Sequence, residues 1–277
     1  MDKINWNRTD LIDESEEIVS HRTKLEQQKL EQQDGVIFTE GQTKRVKITK
    51  VEVDEQGAAA IQKKSGQYIT LTIPTLTVDD DDGLQQLEKS LIQALKEMHQ
   101  SIKFTKQDKI LVIGLGNKTI TPDAVGPFTI DAMQKEKIEL DGDPFILFAP
   151  GVTGQTGYET SEFVKALADK IKPALIIIVD ALATRGSDRL CRTIQLTDTG
   201  IHPGSGVGNE RAEISYESMG IPVSAIGIPT VVGGPVLVSD AVERVFRSIA
   251  AKIHERGKPS SKLSVTPFTP SDEPIDM

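Results

Sequence analysis

Two hydrophobic periods divide this chain. Arg45 to Val53 and Gln67 to Pro74 (QYITLTIP) alternate apolar and polar residues, the period of a half-buried strand, and predict a small β-meander or hairpin. After the acidic run Asp79 to Asp82 and Gly83, the residues Leu84, Leu87, Leu91, Ile92, Leu95 and Met98 recur at helical spacing. The acids then stand at a helix amino end, where capping and the macrodipole account for them without a metal. From Lys109 the texture becomes continuous apolar strand followed by amphipathic helix, repeatedly. ILVIGLG, a helix near Ala124 to Lys135, FILFAPG, a helix near Thr160 to Ile171, ALIIIVDA, CRTIQLTD, VSAIGIPT and a helix from about Ser239 to Glu255 follow one another. Apolar strands between helices mark a parallel sheet buried on both faces. The expected fold is α/β: a three-layer α/β/α core with a mostly parallel sheet, plus a small N-terminal β-rich extension.

Polarity sets the boundaries. Residues 1 to 35 are too charged for a core helix and read as a leader or prosegment with a polar linker. Residues 36 to 256 form the single α/β domain, with the β extension at 36 to 78, and residues 257 to 277 a Pro-rich tail. The single Cys191 excludes an internal disulfide and a thiolate zinc cluster, and fits a reducing cytoplasmic setting. It opens the alternating run CRTIQLTD, where a small buried residue is expected. With 32 basic against 41 acidic residues the net charge is -9, which disfavours a nucleic-acid or anionic-membrane surface. No apolar run approaches the roughly 18 residues of a membrane span.

Candidate chemistry concentrates where strands end. Asp123, in GLGNKTITPDAVGP, and Asp180, in ALIIIVDALATR, each follow a buried strand, and ligands of open α/β sheets bind at the carboxyl ends of the strands. Two carboxylates sharing such a crevice cannot easily both ionise, which suits a general acid and a general base in hydrolysis. Helix capping is the competing role for Asp123, and a satisfied buried carboxylate the one for Asp180. Glycines every third residue from Gly151 to Gly157, with Thr153 and Gly154 among them, offer backbone amides to an oxyanion or a peptide carbonyl. The long loop from Thr197 to Asn209 adds His202, Gly204, Ser205 and Gly206 to the same set of substrate or oxyanion candidates. His202 is also the available third ligand if a metal joins Asp123 and Asp180. A dinucleotide site is disfavoured because the third glycine of its fingerprint is Thr119. Ser205 and Cys191 lack a nucleophile's context.

The ordered motifs GLGNKTITPDAVGP, GVTGQTGYETSE, DALATR, TIQLTDTGIHPGSGVGNER and AIGIPTVV closely resemble the bacterial spore germination proteases. The likeness takes in the Arg8-Thr9-Asp10-Leu11 leader and the VKITKVEV and YITLTIP strands, from about residue 8 to about residue 245. It implies a fold similar to the hydrogenase maturation endopeptidases and an unusual aspartic endopeptidase activity without a cofactor. It further implies small acid-soluble spore proteins as substrates, a homotetramer, and a location in the cytoplasm of the forespore or spore core. Asp123 and Asp180 match the family's proposed catalytic pair. Asp10-Leu11 matches the bond at which its zymogen processes itself.

Three departures qualify the likeness. Ile12 stands where the family prefers alanine, Gly233-Gly234-Pro235 stands where it continues into Asp-Ala, and the C-terminal region is shorter. They keep open a catalytically weakened paralogue that only binds spore proteins, beside a metal-dependent peptidase of the hydrogenase-maturation type.

Overall fold

Ile110-Leu-Val-Ile-Gly114 has no polar side chain and Leu175-Ile-Ile-Ile-Val179 none either, so each can be buried only with sheet on both sides and helix above and below. In the computed structural model, which describes residues 34–61, 63–73, 80–137, 144–152, 159–184, 186–203 and 212–255, they are central strands. The eight strands are β1 (Val36–Gln42), β2 (Lys47–Val53), β3 (Gly66–Thr72), β4 (Ile110–Gly114), β5 (Phe145–Phe148), β6 (Leu175–Thr184), β7 (Thr193–Thr197) and β8 (Val223–Val232). They form one sheet in the order β1-β2-β3-β7-β8-β6-β4-β5.

The sheet is mixed. β8, β6, β4 and β5 run parallel, whereas β1, β2, β3, β7 and β8 pair antiparallel. The mostly parallel sheet expected from the sequence is therefore not found. The reason lies in β7: Thr193-Ile-Gln-Leu-Thr197 alternates, as antiparallel strands do, and it joins the N-terminal meander to the parallel half. The β-rich extension is thus continuous with the main sheet.

Among the described residues six helices accompany these strands: α1 (Glu55–Ile61), α2 (Asp81–Met98), α3 (Val125–Lys137), α4 (Thr160–Ile171), α5 (Tyr216–Met219) and α6 (Gly234–Glu255). Strand alternation distributes the core between them. Leu111 and Ile113 of β4 pack with Val164 and Ala168 of α4, while Val112 packs with Ile130 of α3. On the antiparallel half, Ile69, Leu71 and Leu196 pack with Ala94 and Met98 of α2. The amino end of α2 follows the capping expectation: the Asp80 carboxylate accepts from the Gly83 amide at 3.0 Å and pairs with Arg45. Cys191 departs from expectation; it is exposed in the turn before β7 with φ of 54°, so the small buried residue is missing there.

The chain divides into two compact units, Met1–Gly233 and Gly234–Met277. The second contains α6, which starts earlier than the sequence pattern indicated, because Pro235 at its amino end needs no hydrogen-bonded N–H. Among the described residues no helix is long and apolar enough to cross a membrane.

Candidate active site

β4 ends at Gly114, opposite Val179 of β6, and Asp180 follows directly in β6, which runs on beside β8 to Thr184. Asp180 is the sixth residue of β6, opposite Gly227 of β8, and is 7 % exposed. Its Oδ1 accepts the amide of Ala181 at 2.8 Å. A carboxylate so far from water is tolerated because polar partners replace hydration.

Asp123 closes a 3₁₀ turn, Thr121–Asp123, between the loop after β4 and the start of α3. This turn lies against both β6 and β8. The Asp123 carboxylate Oδ2 reaches back to accept the amide of Asn117 at 2.7 Å. The Asn117 side chain shapes that loop, its Oδ1 accepting from the amide and hydroxyl of Thr119 at 3.0 and 2.8 Å. The GLGN segment is therefore a support for Asp123. Two further contacts tie the turn to the sheet: Leu115 N donates to Val179 O at 2.8 Å, and the Thr230 hydroxyl of β8 donates to Pro122 O at 2.5 Å. Asn117 and Thr230 were not among the residues singled out from the sequence. The only signal for Thr230 is its place after Pro229, a residue that within a strand favours a bulge.

Of the other candidates, Gly151 follows β5 with φ of 74°, the left-handed conformation that favours glycine. Thr153, Gly154, Gly204, Ser205, Gly206, Asp10 and Leu11 lie outside the described residues. His202 is 58 % exposed at its side chain, and its Nε2 stands 3.6 Å from Glu213. Among the described residues no group of three His, Cys, Asp or Glu side chains is arranged to hold a metal.

The loop that carries His202 is anchored at both ends. Ile201 and Ile214 form a two-way backbone bridge. Asp198 accepts the amide of Gln67 at 2.7 Å, and burial raises its carboxyl above the usual range. Lys64 pairs with Glu213 and, at 3.0 Å, with Glu217. Burial alone would lower the Lys64 pKa, but the two glutamates together raise it. Glu217 is held at about 2, foremost by the Ser215 side chain, then by its own backbone amide and Lys64.

The germination protease family model matches residues 12–273. The chain is 40% identical over 265 residues to the germination protease of Priestia megaterium, covering 92% of this chain and 71% of that one. It is 38% identical over 271 residues to the germination protease of Bacillus cereus, covering 95% and 73%. The Geobacillus sp. germination protease is 37% identical over 272 residues, with the same coverage. The chain therefore belongs to the germination protease family.

Proposed function

We propose that this peptidase is an aspartate-dependent endopeptidase that uses Asp123 and Asp180 as its catalytic pair. The observation that carries this reading is the 3₁₀ turn bearing Asp123, which follows the carboxyl end of β4 and lies against β6, the strand of Asp180. One carboxylate takes a proton from water as its oxygen attacks the scissile carbonyl carbon. The other, protonated, delivers its proton to the departing amine nitrogen. Opposed protonation requirements give a bell-shaped pH profile. Gly151, which follows β5 in the left-handed conformation, is the candidate on this reading for supplying backbone amides to the oxyanion.

The substrates on this reading are small acid-soluble spore proteins, degraded in the spore core by a homotetramer released from a zymogen by cleavage near Asp10-Leu11. The three-layer α/β/α arrangement is retained as the fold, supported by the alternation of Leu111 and Val112 between α4 and α3.

The test is cleavage of a purified small acid-soluble spore protein, followed by mass spectrometry. Asp123→Asn and Asp180→Asn are each expected to abolish cleavage while leaving the melting temperature near that of the parent. Full turnover in either variant refutes the pair, and activity lost to a chelator and restored by a divalent ion assigns the same carboxylates to a metal.

A further inference from the structure

β8 breaks register once. It pairs Pro229 with Leu182 and Val231 with Ala183, so Thr230 is the extra residue of a β-bulge. Bulges turn a side chain out of the ladder and are frequent beside active sites, where they re-aim a group. Pro229 suits the place, since it has no amide to give to the ladder, and its carbonyl is used instead by the Cys191 amide at 2.7 Å.

The bulge has a definite target. Thr230 Oγ1 donates to the carbonyl of Pro122 at 2.5 Å, across 108 residues of sequence. That carbonyl belongs to the peptide group whose N–H is the amide of Asp123, and this amide donates to Ile120 O at 2.8 Å. The peptide plane before Asp123 is therefore held at both its oxygen and its nitrogen. With that plane fixed and Oδ2 held by the Asn117 amide at 2.7 Å, the carboxyl has little freedom left. Of these holds only Thr230 comes from a sheet strand, and that strand pairs with β6 from Ile176 to Thr184, including the Asp180–Gly227 pair.

We propose that Thr230 is a positioning residue of the peptidase, which sets the placement of Asp123 relative to Asp180 by holding the Pro122–Asp123 peptide from the bulge of β8. The proposal rests on the two aspartates being the catalytic pair. Its cost to the fold is small, because a partly exposed neutral hydrogen bond contributes little net stability. Its effect on rate is larger, because a displacement of about 1 Å in a catalytic group costs about 100-fold.

The experiment compares Thr230→Val, which keeps the branched shape and removes the donor, with Thr230→Ser, which keeps the donor, on a small acid-soluble spore protein. Thr230→Val is expected to lower kcat about 10- to 100-fold with KM within about twofold. Thr230→Ser is expected to stay within about threefold of the parent, and both variants to melt within about 3 °C of it. Thr230→Ala repeats the comparison without added bulk should the valine variant fail to fold. A valine variant with parental kcat, a serine variant as slow as the valine one, or a loss confined to KM overturns the proposal. Asp123→Asn is measured alongside. If it still turns over, the aspartate reading itself is wrong and Thr230 loses its role with it; if it is dead while Thr230→Val is fully active, Thr230 alone is misassigned.

Discussion

A Cβ on Gly116 would stand 2.0 Å from the carbonyl oxygen of Asp123, so the loop after β4 closes onto the aspartate turn at a distance only glycine permits. Gly116 also has φ of 116°, strained for any other residue. Because the obstruction is backbone, no side-chain rotation relieves it. Gly116→Ala is expected to cost about 3 kcal/mol, a fall of roughly 6–12 °C in Tm, and to reduce turnover further by displacing Asp123. Thermal unfolding and kcat measured well below the new Tm check both parts. An unchanged Tm would mean that the loop and the turn separate freely.

Gly227, opposite Asp180, is constrained differently. A Cβ there would meet Leu182 Cδ1 at 2.2 Å and Cγ at 2.6 Å, so the obstacle is a side chain. Gly227→Ala is expected to destabilise by about 1–3 kcal/mol through overpacking. Adding Leu182→Ala should cost less than its single effect, since the space it vacates admits the new methyl group. Strict additivity of the two changes in denaturant unfolding counts against this contact.

The sequence exposed the parallel half clearly because its strands are continuous and apolar, and ILVIG and LIIIV admit few other placements. Asp180 was legible for the same reason: an ionisable residue ending such a run has to face a crevice or a partner. In the antiparallel half the pairing of β2 with β3 was legible from their alternation, and the junction through β7 was not. Alternation in TIQLT was visible, but the pairing of β7 with β3 joins residues more than a hundred positions apart, and no local pattern encodes which strand lies beside which. Helix α1 was also missed, since Glu55–Ile61 is short and spends its middle on Gly57 and three alanines. Thr230 was hidden because a bulge is a mismatch between two strands and is absent from either strand taken singly.

Gln195 occupies the same cross-strand row as Asp180, with Gly227 between them, and it is fully buried. Neither its Oε1 nor its Nε2 has a hydrogen-bond partner among the described residues. A buried amide left so costs about 1–3 kcal/mol for each unmet group, whereas methionine fills a similar volume without polar atoms. Gln195→Met is expected to raise stability by at least about 1 kcal/mol, seen as a higher urea midpoint with unchanged slope. A lower midpoint would show that the amide is hydrogen-bonded from outside the described residues.

Asp198 gives the protein a pH dependence of identifiable sign. Burial raises its pKa above the ordinary 3.8, against the opposing hydrogen bonds from Gln67 and its own amide. A carboxyl with a raised folded pKa favours the folded state while protonated, so its contribution is complete below its unfolded pKa and is lost as pH rises through the folded value. Asn in its place keeps the acceptor for Gln67 and never ionises. Asp198→Asn should therefore match the parent at about pH 3 and exceed it in Tm at neutral pH, with the difference opening above the ordinary carboxylate range. Taking the difference between the two proteins cancels the groups whose pKa values are lowered, among them Asp80, Glu97 and Glu217, which stabilise in the opposite direction. A deficit in the variant that grows with pH would mean that the ionised carboxylate anchors the His202 loop to β3, and that its hydrogen bond outweighs the burial of its charge.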